Sequence, residues 1–221
     1  MTLDLASTED AESRLAALTV LSRQVRDLID AVVLTDVPEG ELTAVTAELA
    51  ALTERLGAVR RDSPRSFEFG PDGLPRNLSN AVTGAANPHA LPLVVQVTPE
   101  RTVRAELGFR PVHEGPPATV HGGVSAMILD QLLGQAVAAA GFPGMTGTLS
   151  LRYRRPVPYG EPLVATAEHT RSQGRKSWAE GRIALPDGTV LVEAEGLFIA
   201  PSWWSGKGPV PEPEGGAGGA R

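Results

Sequence analysis

The chain has 221 residues, 42% hydrophobic and 21% charged, enough for one sizeable domain plus an extension, or for two small domains, of the soluble globular class. Its formal net charge of −6 gives no reason to expect nucleic acid or an anionic membrane as a general partner, while local basic clusters leave room for small anionic ligands. With no cysteine there is no disulfide framework, thiol nucleophile or thiolate metal site.

The opening "MTLDLASTEDAESR" is acidic and lacks the apolar core behind early basic residues that a secretory signal needs, so a cytoplasmic location is expected. Leu15, Leu18, Leu21, Val25, Leu28 and Val32 then recur every three or four residues, and so do Leu42, Val45, Leu49, Leu52, Leu56 and Val59. The breaker "DVPEGE" separates the two patterns. Residues 1–62 therefore read as an N-terminal helical hairpin, each helix with one apolar stripe packed on the other helix or on the main domain. Dimerisation or partner binding is the alternative use of those stripes. Residues 63–90, rich in Pro, Gly and Asn, read as a connector with a short strand at "SFEF".

From 91 the pattern changes to strands. "LPLVVQVTPE" and "RTVRAELGFR" suit a hairpin, and "TGTLSLRYRRPV", "PLVATAEHT", "SWAEGRIAL" and "TVLVEAEGLFIA" suit four more strands, with Gly, Pro or Asp in the turns. Between these groups lies "TVHGGVSAMILDQLLGQAVAAAG", Thr119 to Gly141, a long helix. Residues 91–200 thus form an α+β domain, an antiparallel sheet of about six strands packed on one central helix. Residues 201–221, "PSWWSGKGPVPEPEGGAGGAR", read as a disordered tail.

The helix is long enough to be considered as a membrane span, but Asp130 at its centre argues against lipid. Ala126, Met127, Leu133 and Gly134 make the face around Asp130 apolar or bare, and the remaining faces are largely apolar too, so burial of the whole helix is expected. A buried lone carboxylate is costly unless paired or used. Two readings stand: satisfaction by an arginine or by backbone N–H groups, and a role as base or nucleophile. His121, Gly122 and Gly123 sit where loop becomes helix. Free first-turn N–H groups at the positive dipole end can hold a developing oxyanion, and glycine lets a carbonyl approach. The plainer reading is a Gly-Gly loop with a capping histidine.

His121 and Asp130 are nine residues apart, which on a helix puts them on opposite sides and roughly 13 Å apart along the axis. They cannot both reach one reacting bond within one chain. If both serve one site, a second copy supplies one of them, and a homodimer with two composite sites follows. A tetramer built as a dimer of dimers is the larger alternative. Thr146 opens the strand after the helix with a hydroxyl that either holds a water or carboxylate or simply ends a turn. Arg152, Arg154, Arg155, Arg175 and Lys176 are either phosphate contacts or solvated surface charge. "HEGPP" at His113 lacks the second histidine of a zinc-protease helix, and there is no dinucleotide, phosphate-loop or nucleophile-elbow motif. Neither metal nor cofactor is expected.

Three ordered segments, "EGPPATVHGGVSAMILDQLLG", "MTGTLSLRYRRPVPYGEPL" and "GRKSWAEGRI", resemble the hotdog-fold acyl-CoA thioesterases, in particular the phenylacetate-pathway (PaaI-type) enzymes. The resemblance covers roughly residues 90–200. It implies a long helix wrapped by an antiparallel sheet, a dimer with a continuous sheet, and active sites at the dimer interface. It also implies Asp130 as catalytic acid, the Gly122 N–H as donor to the thioester carbonyl, Thr146 as the hydroxyl placing the acid or the water, and His121 shaping the oxyanion loop and the sulfur side. Gly123, Arg154, Arg155, Arg175 and Lys176 match segments that meet CoA. Some relatives carry an asparagine six residues before the histidine, where this chain has Gly115. The expected activity is hydrolysis of an acyl-CoA to a carboxylic acid and free CoA. The alternatives are a non-catalytic acyl-CoA-binding or scaffold protein and an enoyl thioester hydratase.

Overall fold

A computed structural model of the chain describes residues 5–64, 68–69, 75–91 and 93–202. Ser66 and Phe67 of the expected "SFEF" strand, and residues 203–221 of the expected tail, lie outside the described residues. The chain divides into two compact units, residues 1–92 and 93–221.

In the first unit the two periodic stretches form α1 (Leu5–Leu34) and α2 (Glu39–Gly57). Pro38, at φ −60° and ψ 151°, is the N-cap of α2, and Glu39 and Glu41 lie in its first turn, where the positive dipole end favours acids. The apolar stripe of α2 departs from expectation, because no residue of that helix is buried. Leu42, Leu52 and Leu56 are 44%, 46% and 60% exposed. Ala, Leu and Glu favour the helix intrinsically, so its periodicity reports amphipathicity without requiring a cover within one chain. Two short strands, β1 (Glu68–Phe69) and β2 (Pro75–Arg76), pair antiparallel. Beyond them residues 77–91 turn tightly. The Asn80 carboxamide oxygen accepts the N–H groups of Val82 and Thr83 at 2.8 and 2.9 Å, and Arg26 of α1 donates to the carbonyls of Ala90 and Asn87 at 2.8 and 2.9 Å.

The second unit holds β3 (Val94–Val97), β4 (Val103–Leu107), α3 (Gly122–Ala139), β5 (Met145–Tyr153), β6 (Leu163–Gln173), β7 (Lys176–Ala184) and β8 (Val190–Ile199). The strands form one six-stranded sheet in the order β3-β4-β6-β7-β8-β5, antiparallel throughout. Strand β5 follows α3 yet pairs only with the last strand, so it forms an edge. The turns carry glycine where the backbone is left-handed, Gly174 at φ +58° between β6 and β7 and Gly188 at φ +89° between β7 and β8.

Helix α3 packs on the sheet through Ser125, Ile128, Leu129, Leu132, Leu133, Ala136 and Val137. Leu133 sits where Gly181 of β7 and Gly196 of β8 are bare, and a Cβ on either would come within 3.2 or 3.3 Å of its methyl groups. The helix stops at Gly141, φ +91°, where the Phe142 N–H reaches the Val137 carbonyl at 2.9 Å and the Gly141 N–H reaches that of Ala138. These paired bonds satisfy carbonyls that the last turn would leave open. Among the described residues no helix is long and apolar enough to cross a membrane.

Candidate active site

Full burial of α3 is not what the structure has. The sheet covers one half of the helix, and the other half, with Gly123, Met127, Asp130, Gln131 and Gly134, is exposed or half-buried. Each residue turns about 100°, which puts Asp130 at the border between the two halves. One sheet covers one side of a helix, so apolar residues on the far side wait for something outside this unit.

At that border the Thr146 hydroxyl donates to Asp130 Oδ1 at 2.8 Å. Among the described residues neither a cation nor a backbone N–H group satisfies Asp130, so the structural reading of this carboxylate has no support here. Its second oxygen is left for another donor. Thr146 reaches it through an irregularity in β5. Tyr153 also reaches α3, so the two-residue period of a strand puts Leu151, Leu149 and Gly147 on the helix side and Thr146 on the far side. The register instead slips between Thr146 and Thr148, which pair with the adjacent residues Phe198 and Leu197 of β8. Gly147 is the extra residue, and the bulge turns Thr146 back toward α3.

The N-terminal end of the helix carries His121. It is the N-cap, with φ −60° and ψ 130°, and its Nδ1 accepts the Gly123 N–H at 3.0 Å. A neutral ring that accepts at Nδ1 carries its proton on Nε2, here on an exposed side chain. The Val124 N–H goes to the His121 carbonyl at 2.9 Å. Gly122 keeps an N–H with no partner among the described residues, at the positive end of the helix. Gly123, expected at the substrate, has its N–H occupied and offers only bare surface. The preceding loop is pinned by His113, whose Nδ1 accepts the Arg110 N–H at 2.9 Å and whose carbonyl accepts the His121 N–H at 2.8 Å. A Cβ at Gly115 would stand 2.7 Å from His121 Cα, so an asparagine there would need the loop to move.

Tyr153 was not singled out from the sequence. Its hydroxyl donates to the Gly122 carbonyl at 2.8 Å across 31 residues of chain, and its ring lies against Gly122, where an added Cβ would meet Oη at 3.0 Å. A strand-end aromatic carries no signal that it reaches a backbone oxygen.

The basic residues do not gather in one place. Arg154 and Arg155 bond through their N–H groups to the Leu191 carbonyl near the start of β8, whereas Arg175 donates to the Ala200 carbonyl just past its end. A strand of that length spans about 30 Å. The two groups therefore lie toward opposite ends of β8, Arg154 and Arg155 on the Gly122 side and Arg175 and Lys176 on the side of Asp130, which is itself midway along α3. Arg154 is held by Glu193, with Nε and Nη2 at 3.0 and 2.8 Å from one carboxylate oxygen. Lys176 is exposed. Among the described residues no three His, Asp or Glu side chains converge as metal ligands.

Residues 118–192, from the loop before α3 into β8, match the sequence profile of the Thioesterase superfamily. Acyl-coenzyme A thioesterase THEM4 of Bos taurus is 32% identical over 90 residues, 40% of this chain and 37% of that relative, and the Xenopus laevis protein of the same name is 32% identical over 90 residues, 40% of each chain. The chain thus spans about two fifths of the length of these curated relatives. The crystal structure of a thioesterase superfamily protein matches with a TM-score of 0.75 and 36% identity, over 82% of this chain and 94% of that one. That share of the chain exceeds the unit 93–221, so the likeness extends into the helical first unit. With 94% of a relative covered at 36% identity, and a sheet-wrapped helix of the hotdog type beneath it, the chain belongs to the thioesterase superfamily.

Proposed function

We propose that the chain is an acyl-CoA thioesterase acting as a homodimer, with each active site built from Asp130 of one protomer and Gly122 of its partner. The observation that carries this reading is the partner of Asp130: a hydroxyl at 2.8 Å and not a cation. A carboxylate kept for structure is normally held by a cation or by several backbone N–H groups, whereas one oriented by a single hydroxyl at a half-open border stays available for chemistry.

The edge strand supports the dimer. β5 exposes seven of its nine residues and leaves one row of backbone groups unpaired, a long edge of the kind proteins rarely leave uncovered. Two copies paired antiparallel about the middle of β5 bring Thr146 and Asp130 of one toward Tyr153 and Gly122 of the other. Arg154 and Arg155 of one protomer and Arg175 and Lys176 of the other then flank the same site, where CoA phosphates would need them.

In this site ionised Asp130 takes a proton from water while the water oxygen bonds to the thioester carbonyl carbon, or it attacks that carbon itself. The carbonyl oxygen becomes an oxyanion that accepts the Gly122 N–H. Collapse breaks the C–S bond. The leaving thiolate takes up the proton held by Asp130 in the water route, and His121 Nε2–H stands on the sulfur side as a donor. In the direct route, water then cleaves the acyl–aspartyl anhydride. Both routes consume one water and yield a carboxylic acid and free CoA. The test is thiol release over aliphatic and aromatic acyl-CoAs of different length, with Asp130→Ala as control. Release by the wild type and its loss by at least about a hundredfold in the variant are expected, with melting and dimer mass unchanged. Near-normal release by Asp130→Ala refutes the role. Tight acyl-CoA binding with no release by the wild type would turn the reading to a binding protein, and consumption of an enoyl-CoA double bond would turn it to a hydratase.

A further inference from the structure

We propose that Tyr153 is a positioning residue that holds the Gly122–Gly123 peptide and so aims the one free N–H of the turn; this rests on the thioesterase reading above. Two consecutive glycines at a helix start are the loosest backbone the chain can offer, since neither carries a Cβ to restrict φ and ψ. An oxyanion donor has the opposite requirement. It must be in place before charge develops, and misplacement by a fraction of an ångström weakens it.

Each peptide of the turn is fixed by a different group. The carbonyl before Gly122, that of His121, accepts the Val124 N–H at 2.9 Å. In the next peptide the Gly123 N–H is taken by His121 Nδ1 at 3.0 Å and the Gly122 carbonyl by the Tyr153 hydroxyl at 2.8 Å. That carbonyl has a helical partner in any case, the N–H four residues on. The tyrosine bond is therefore additional to what the helix needs, and its loss leaves no buried group unsatisfied. The ring closes the space that the missing side chain leaves, with Gly122 close enough that an added Cβ would lie 3.0–3.3 Å from the phenol atoms. Tyr153 ends the same edge strand whose first residues hold Asp130 through Thr146. One strand thus orients both half-sites of its own protomer, and these half-sites serve different active sites in the proposed dimer.

Tyr153→Phe keeps the ring and removes only the hydroxyl. Its test uses the full-length dimer, with steady-state thiol release, thermal melting, and amide hydrogen exchange of the peptide covering residues 120–125. The expected result is a kcat about tenfold lower with KM within about twofold, an unchanged melting temperature, and faster exchange in that peptide. A kcat equal to wild type overturns the proposal. A fall in kcat that tracks a fall in melting temperature, with exchange raised throughout the domain, also overturns it, because the hydroxyl would then be a general structural contact. If wild-type protein releases no thiol from any acyl-CoA, the thioesterase reading fails by itself. The exchange comparison then decides Tyr153: locally faster exchange keeps the positioning role, and unchanged exchange removes it.

Discussion

The composite site can be tested by mixing two defective chains. Asp130→Ala removes the acid midway along α3. Gly122→Val adds a side chain at the start of the helix, where its Cβ meets Tyr153 Oη at 3.0 Å and fills the approach to the N–H. Each homodimer then has two broken sites and should lose at least about a hundredfold in kcat. A dimer containing one chain of each kind has one site with both defects and one with neither. Purified by two different affinity tags after co-expression, it should show about half the wild-type rate per dimer, and an unfractionated statistical mixture about a quarter. The control is a pair with both defects in the same half-site. Asp130→Ala mixed with Thr146→Val leaves no intact site in any dimer, so no recovery is expected. If the Asp130→Ala and Gly122→Val mixture stays as inactive as its parents while the mixed dimer forms, the sites are not composite. The same separation of His121 and Asp130 along one helix would then require that only one of them acts.

The Thr146 hydroxyl is the only hydrogen-bond donor to Asp130 among the described residues, so Thr146→Ser should stay within about threefold of wild type while Thr146→Val loses about tenfold or more in kcat; equal rates for the two variants would remove the hydroxyl from the argument. Gly181→Ala should destabilise the domain by about 1–3 kcal/mol in urea unfolding, since its Cβ would lie 2.8 Å from the Thr166 carbonyl oxygen and 3.2 Å from Leu133; a neutral change would mean that β7 can shift freely. Asp187 accepts the Thr189 N–H at 2.8 Å, and that backbone bond, with the Thr189 hydroxyl, holds its carboxyl below the ordinary value. A lowered folded-state value stabilises the folded chain above the ordinary carboxylate range and is lost as pH falls through it. Asp187→Asn keeps an acceptor in the turn but does not titrate, so the stability gap between wild type and variant should narrow on acidification, measured as melting temperature against pH; a constant gap would refute the contribution.

What could be read from the chain, and what could not, divides along one physical line. Periodicity and turn residues report which faces are apolar and where the backbone reverses, and they located α3 and the strands β3 to β8 because each has its own pattern. The nine-residue spacing of His121 and Asp130 calls for a second copy if both serve one site, whatever the sheet edges are. Phase within a strand is less legible. Counted back from Tyr153 by twos, Thr146 faces away from the helix, and only the slip at Gly147 brings it to Asp130. The family resemblance pointed to Thr146, but nothing in "MTGTLSLRY" announces a bulge, because Gly147 is not at positive φ and any small residue could stand in a regular strand. Contacts to backbone atoms are the least legible of all. The Gly122 carbonyl has no sequence identity of its own, so Tyr153 could not be chosen over Arg152 or Arg154 beside it. The placement of the basic residues is hidden for a related reason: "RYRRP" and "GRK" look alike as charge, and only the register of β8 puts them toward its opposite ends. That division supports the dimer in its own right. A site whose acid and N–H donor lie roughly 12 Å apart along one helix and face different ways, each with its own positioning side chain from one edge strand and its own pair of basic residues, is a set of halves. The antiparallel pairing of two such edges is the simplest operation that makes them whole.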